Sequence, residues 1–159
     1  MPRFRRTMLL LLAIVACVAC DQATKTIARA TISASQPVSL LHDTVVLTYT
    51  ENPGAFLSIG ARLPDRARLL LFTALPAVVI GAALVLFPRS APWHGAQYGA
   101  LALLVGGGLG NLLDRLGNHG AVRDFLRIGV GPFATGVFNL ADVAIVAGVI
   151  IWIVGPRRS

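Results

Sequence analysis

The 159-residue chain is 55% hydrophobic and only 13% charged, with a mean hydropathy of +0.73, which leaves too little polar surface to coat a water-soluble globule. Its formal net charge of +7 comes from basic residues scattered over tails and loops, which argues against a nucleic-acid-binding face. An integral membrane protein remains, with room for about four helices of roughly 20 residues each.

Long apolar runs place the spans at approximately 7–28, 69–87, 96–113 and 135–154. The fold class expected is therefore membrane all-α, a four-transmembrane-helix bundle, with residues 1–159 forming a single integral membrane domain. Uninterrupted apolar character in the first span stops at Cys20 and gives way to Asp21-Gln22-Ala23-Thr24-Lys25. Continuing the helix to about Ala28 sets Asp21 and Lys25 one turn apart on one face, where an acid–base pair is favourable. That pair is either an interfacial salt bridge or a brace for a site at the outer surface. Cys17 and Cys20 have C-x-x-C spacing but lie in an apolar span, which favours buried cysteines over redox or zinc chemistry.

Residues 36–50 change style. Pro37-Val38-Ser39-Leu40-Leu41 and Thr44-Val45-Val46-Leu47-Thr48-Tyr49-Thr50 are short and β-branched, with His42-Asp43 between them, so a small extracytoplasmic β element is expected. Glu51-Asn52-Pro53-Gly54-Ala55-Phe56 then offers turn chemistry. An amide side chain beside a glycine suits either an ordinary loop or backbone N–H groups held near a ligand.

Pro88-Arg89-Ser90-Ala91-Pro92 ends the second span, making spans two and three a hairpin. Gly106-Gly107-Gly108-Leu109-Gly110 near the outer end of span three lacks the Lys-Ser/Thr of a phosphate loop, and small residues that admit a close helix neighbour explain it better. Arg3, Arg5, Arg6, Arg89, Arg157 and Arg158 occupy three short segments free of acidic residues. Those segments, and with them both termini, are expected in the cytoplasm. All seven acidic residues fall on or toward the other side.

Two of those acids carry the functional reading: Asp124 in Val122-Arg123-Asp124-Phe125, and Asp142 just inside the last apolar segment. A carboxylate among membrane-spanning residues costs several kcal/mol or more, so a role is the default expectation. The ordered set Asp21-Gln22-x-Thr24-Lys25, Asn52-x-Gly54-Ala55, Gly110-Asn111-x-x-Asp114-Arg115, Val122-x-Asp124-Phe125 and Phe138-Asn139-x-Ala141-Asp142 resembles the lipoprotein signal peptidases, also called signal peptidase II. The resemblance runs from the first span to the last.

The resemblance implies an intramembrane aspartic endopeptidase of the bacterial cytoplasmic (inner) membrane, multi-pass, with its active site near the outer face. It implies removal of signal peptides from diacylglyceryl-modified prolipoproteins by cleavage before the lipidated cysteine. Asp124 and Asp142 match the family's catalytic pair. Asn52, Gly54, Asn111, Asp114, Arg115, Asn139 and Ala141 match positions that line or support the site, and Asp21 and Lys25 match the first motif. No cofactor is expected, and no metal, because a metal-dependent hydrolase would usually recruit more carboxylates or histidines. The partners implied are the lipidated substrate and membrane lipid, and a monomer is expected. One departure is visible: the family commonly reads Asn-x-Gly-Ala-Ala-Phe, whereas Phe56 here comes one residue early and Leu57 follows.

The residue types suit amide hydrolysis without a nucleophilic side chain, because two close carboxylates in a low-dielectric site share a proton, one serving as acid and the other as base. Arg115 is expected either to hold a nearby acid ionised or to meet charge on the substrate. Asn139 is expected on the same helix face as Asp142, and Asp114 and Asp21 to find basic partners in Arg115 or Lys25. His42, His94 and His119 are too scattered for a serine–histidine arrangement or a metal cluster. The alternative from another class is a small ion- or proton-coupled carrier with the two aspartates as ligands; no inverted repeat supports it. A lipobox-like Ile14-Val15-Ala16-Cys17 would make the chain itself a lipoprotein, but three further spans follow it.

Overall fold

A computed structural model of the chain describes residues 2–33, 35–55, 59–86, 95–130 and 132–155. The turn expected at 88–92, His94, Arg157, Arg158 and the Phe56-Leu57 departure lie outside the described residues, as does the side chain of Arg3. In chain order the elements are α1 (Arg3–Thr31), β1 (Val38–Leu40), β2 (Val45–Asn52), α2 (Asp65–Arg68), a π-helical stretch (Leu69–Ala74), α3 (Leu75–Leu86), α4 (Gly95–Gly117), β3 (Val122–Val130), β4 (Phe133–Ala134) and α5 (Leu140–Val154). Among the described residues three helical segments are long and apolar enough to cross a bilayer: Phe4–Thr31, Asp65–Leu86 and Gly95–Gly117.

The second of these is a single rod with a wide turn inside it. Pro76 has no N–H to give the preceding turn and crowds the carbonyl one turn back; the π-helical stretch sits where that clash must be absorbed. Helix α4 is the hub, packing most extensively on α5 and then on α1. Leu10 and Ile14 of α1, Ile80 of α3, and Leu101, Ala102 and Val105 of α4 form the apolar core. The outward faces are apolar as well, with Leu12, Val15, Leu70, Val78 and Ile153 all more than half exposed. In water such a surface would be an aggregation site, and in lipid it needs no cover.

The fourth expected span begins later than its hydropathy suggests. Residues 135–138 are apolar enough to extend the helix, but their backbone groups pair with β3. Thr135 N–H donates to Ile128 O at 2.7 Å, Phe138 N–H donates to Leu126 O at 2.8 Å, and Phe138 O accepts from the Phe125 and Leu126 N–H groups. Helix therefore starts only at Leu140, and α5 has 15 residues, about 22 Å at 1.5 Å per residue.

The β element is larger than the expected strand pair. Strands β1 and β2 form the hairpin, with Leu41, His42 and Asp43 all at positive φ in its turn. Strand β3 then joins β2 antiparallel, with Asn52 opposite Val122 and Thr50 opposite Asp124, and β4 completes the order β1-β2-β3-β4. The chain passes from α4 into β3 through Gly120 at φ +87, a conformation that favours glycine; its N–H caps Arg115 O at 2.9 Å.

Small residues let α4 approach its neighbours. A Cβ on Gly107 would lie 2.5 Å from Ala141 O of α5, and one on Gly110 would lie 2.5 Å from Asp21 Oδ2 of α1. Gly110→Ala is expected to destabilise the bundle by on the order of 1–3 kcal/mol through overpacking, seen as a lower unfolding midpoint in detergent. Gly117→Ala, whose Cβ meets nothing within 4 Å, should move the midpoint little. An unchanged midpoint for Gly110→Ala would contradict the close approach of α1 to α4.

Candidate active site

One buried ammonium organises the polar residues between α1, α4 and α5. Lys25 is fully buried, and a buried cation is tolerable only when paired and hydrogen-bonded. Its three N–H bonds meet three acceptors: Asp21 Oδ2 at 2.7 Å, Asp114 Oδ2 at 2.9 Å and Asn111 Oδ1 at 2.9 Å. The Asp21–Lys25 pair is thus interior, not an interfacial bridge. Asp114 takes its second cation from Arg123, through Nε at 3.0 Å, a shorter contact from Nη2 and the backbone N–H at 3.0 Å. Arg115, the partner expected for Asp114, donates instead to Gly54 O at 2.7 Å and more weakly to Asn111 O at 3.4 Å. Two cations and two carboxylates leave this part of the cluster formally neutral.

The lysine decides which way Asn111 points. Because Asn111 Oδ1 faces Lys25 and also accepts from Asn139 Nδ2 at 3.1 Å, its Nδ2 must face the other way. There it donates to Asp142 Oδ1 at 2.9 Å. Asn139 is fixed by the same logic. It is the N-cap of α5, not a residue on the face of that helix as expected: its Oδ1 accepts from Asp142 N–H at 3.0 Å while its own N–H donates to Asp142 Oδ2 at 3.2 Å, a reciprocal capping box. With Oδ1 committed, Nδ2 is turned to Asp124 Oδ1 at 2.6 Å. Asp21 caps the same helix end, its Oδ1 accepting from Ala141 N–H at 2.9 Å.

Asp124 reaches the cluster from the sheet. Its second oxygen accepts from Asn52 Nδ2 at 2.9 Å, and Asn52 Oδ1 accepts from Gly54 N–H at 2.9 Å, so the loop after β2 is locked against Asp124 on one side and Arg115 on the other. Asp124 is about 1% exposed. Burial is the largest influence on it, the donors Asn52 and Asn139 oppose that influence, and the Asp142 charge reinforces it. The carboxyl is pushed up to about 6.

Asp142 is only partly buried and opens into a cavity of 240 Å³, which it lines with Asn111, Arg115, Phe72, Pro76 and Ile145 among others. A second cavity of 340 Å³ continues from Ile145 along Leu104, Leu101, Val79, Ala83 and Trp152. Both cavities are lined by residues of α3, α4 and α5, they share Ile145, and the first reaches the Asp142 carboxylate. All eleven residues singled out from the sequence are placed: Asp124, Asp142, Asn52, Asn111, Asp114, Asn139, Ala141, Asp21 and Lys25 in one hydrogen-bonded network, with Gly54 and Arg115 joined to it through Asn52 and Asn111. Sequence reasoning missed Arg123 and Gln22. Gln22 donates to Asp21, Asp114 and Gly110 O and accepts from Arg123. Its signal was its place in the first motif, one residue from Asp21.

Several apolar helices around a buried network that holds two carboxylates define a multi-pass membrane protein. A solved bacterial membrane enzyme structure matches at a TM-score of 0.79 with 27% identity, covering 92% of this chain and 85% of that one. The sequence model described as Signal peptidase (SPase) II matches residues 13–155. Lipoprotein signal peptidases from Desulforapulum autotrophicum and Moorella thermoacetica are 32% and 39% identical to it, over 86% and 89% of this chain and 83% and 87% of their own. The chain belongs to the signal peptidase II family and is therefore a protease.

The raised pKa of Asp124 has a stability consequence. A carboxyl whose folded pKa lies above its unfolded value favours the fold fully below about pH 4, and that contribution is lost as pH rises through about 6. Asp124→Asn carries no such dependence. The stability difference between variant and wild type should therefore move toward the variant by on the order of 2 kcal/mol between pH 4 and 7.5, measured by unfolding in detergent. A difference independent of pH would contradict the burial described.

Proposed function

We propose that this protein is an aspartic endopeptidase acting within the bacterial inner membrane, which removes the signal peptide of diacylglyceryl-modified prolipoproteins by cutting before the lipidated cysteine. Family membership supports the substrate class, since the relatives named above are lipoprotein signal peptidases. One observation carries the mechanism: Asp124 and Asp142 are tied to each other through a single residue, Asn139.

In this reading Asp124 and Asp142 are the catalytic residues. One carboxylate removes a proton from the attacking water while the other, protonated, polarises the scissile carbonyl and then protonates the leaving amine. The titration belongs to the pair. Asn52, Asn111 and Asn139 hold the two side chains in place. Arg115, on the wall of the cavity, meets substrate or the charge developing on it. The two cavities that share Ile145 suit a lipidated, apolar substrate that enters sideways from the bilayer.

A metal ion has no place in this scheme. Each of the four carboxylate oxygens already accepts an N–H bond, from Asn52, Asn111, the Asn139 side chain or the Asn139 backbone. The pair itself supplies both the acid and the base.

Residues 1–159 form one integral domain in this reading, with four spans, both termini in the cytoplasm and the sheet and dyad near the outer face. Lipid thinned around α5, together with the residues before it, makes up that helix's short length. The protein acts as a monomer in this reading. The carrier alternative has no support from the family.

Asp124→Asn and Asp142→Asn should each insert normally yet lose cleavage of a diacylglyceryl-modified prolipoprotein by at least about a hundredfold. The wild type should work unchanged after chelation and should leave the unmodified precursor uncut. Near-normal turnover by either variant would remove that residue from the mechanism, and restoration of a chelated enzyme by a divalent cation would replace the mechanism altogether.

A further inference from the structure

A third cavity, of 490 Å³, shares Arg115 with the cavity that Asp142 lines. Arg66, Arg68, Arg115 and His119 line it, between Leu69 and Leu116. Asp65 is the single acid on its wall, and that carboxylate is engaged by Arg68. Three guanidiniums against one paired carboxylate leave a positive concavity.

Its donors are underused. Among the described residues Arg66 and His119 have no polar partner, while Arg115 gives its Nη atoms to Gly54 O and Asn111 O. The walls add a second constraint: Leu69 and Leu116 are 59% and 69% exposed, so the rim is apolar where the floor is cationic. An anion with hydrocarbon attached matches both.

Position agrees. The cavity lies at the ends of two membrane-crossing helices, Asp65–Leu86 and Gly95–Gly117, at the depth of lipid headgroups. Arg62, Arg66 and Arg68 crowd into seven residues on the side assigned above to the exterior, where the topological charge bias disfavours arginine. This part of the argument rests on the orientation given under Proposed function.

We propose that this cavity binds the phosphodiester of an anionic membrane phospholipid, held by Arg66, Arg68 and Arg115, with the lipid's apolar part along Leu69 and Leu116. Guanidinium is the natural partner for phosphate oxygens because its fork meets two of them at once. Since Arg115 also holds Gly54 O, the bound lipid stiffens the Asn52 loop against Asp124.

The test is native mass spectrometry of the full chain in detergent, titrated with dioctanoyl phosphatidylglycerol. Parallel arms use dioctanoyl phosphatidylcholine and inorganic phosphate. One phosphatidylglycerol should bind saturably, and phosphatidylcholine and free phosphate should bind far more weakly. Arg66→Gln, at an exposed position that folding does not need, should weaken binding about tenfold, the size of one lost charge-assisted bond, and Arg66→Gln with Arg68→Gln further still. Arg62→Gln, outside the cavity, should stay within about twofold of wild type.

Equal loss in Arg62→Gln, or no loss in the Arg66 variants, would reduce the effect to general basic charge and overturn the proposal. Free phosphate as tight as the lipid would overturn the lipid source. So would an absence of lipid binding joined to a raised KM for prolipoprotein in Arg66→Gln, which would hand the cavity to acidic groups of the substrate. Binding is read without substrate, so it stands or falls separately from cleavage: a wild type that binds lipid but cuts no prolipoprotein fails the proposed function alone.

Discussion

Everything polar in this bundle depends on neutralising one ammonium. Lys25 sits fully buried where water cannot reach it, and removing a partner from such a charge typically costs about 3–5 kcal/mol. The requirement draws Asp21, Asp114 and Asn111 to one point and therefore sets α1 against α4. It also removes the rotational ambiguity of an amide. With Asn111 Oδ1 held by the cation, its NH₂ is left to Asp142, and through Asn139 the same constraint reaches Asp124. A buried ion cluster is weak evidence of stability. Here its clearer consequence is geometric, because the two carboxylates inherit their placement from it.

The sheet does what the helices cannot. Asp142 comes from the first turn of α5, but Asp124 arrives on β3, and the two meet because Phe138 pairs with Leu126 just before Asn139 caps the helix. The same pairing shortens α5. Asp124 accepts from two neutral amides and makes no ion pair among the described residues. A carboxyl desolvated without a cation in contact is the arrangement that retains a proton toward neutral pH, whereas Asp114, gripped by Lys25 and Arg123, is built to remain a counter-ion. Asp114 and Asp124, ten residues apart in sequence, thus receive opposite surroundings.

Much of this was legible in the sequence, for identifiable reasons. Apolar runs located the helices because lipid demands them, and the i,i+4 spacing of Asp21 and Lys25 made them partners wherever the helix continued. The Gly106–Gly110 run announced close packing. Strand β3 was not legible, because its inward positions alternate Val122, Asp124 and Leu126: a carboxylate occupies a place where periodicity looks for an apolar residue. Asn139 was misplaced on the helix because hydropathy does not register that residues 135–138 had given their backbone groups to β3. The Asp114–Arg123 pair joins a helix end to a strand across the Gly120 turn, and no local spacing rule reaches across such a turn.

The central claim is that Asp124 and Asp142 work as one unit sharing a proton. The pH dependence of single-turnover cleavage of a diacylglyceryl-modified prolipoprotein tests it most directly, since each limb of the profile reports one protonation step of the pair. The account predicts a bell: activity falls on the acid side as the base is protonated and on the alkaline side as the shared proton is lost. A rate that stays flat, or keeps climbing to high pH, would mean that no carboxyl proton is needed and would contradict it.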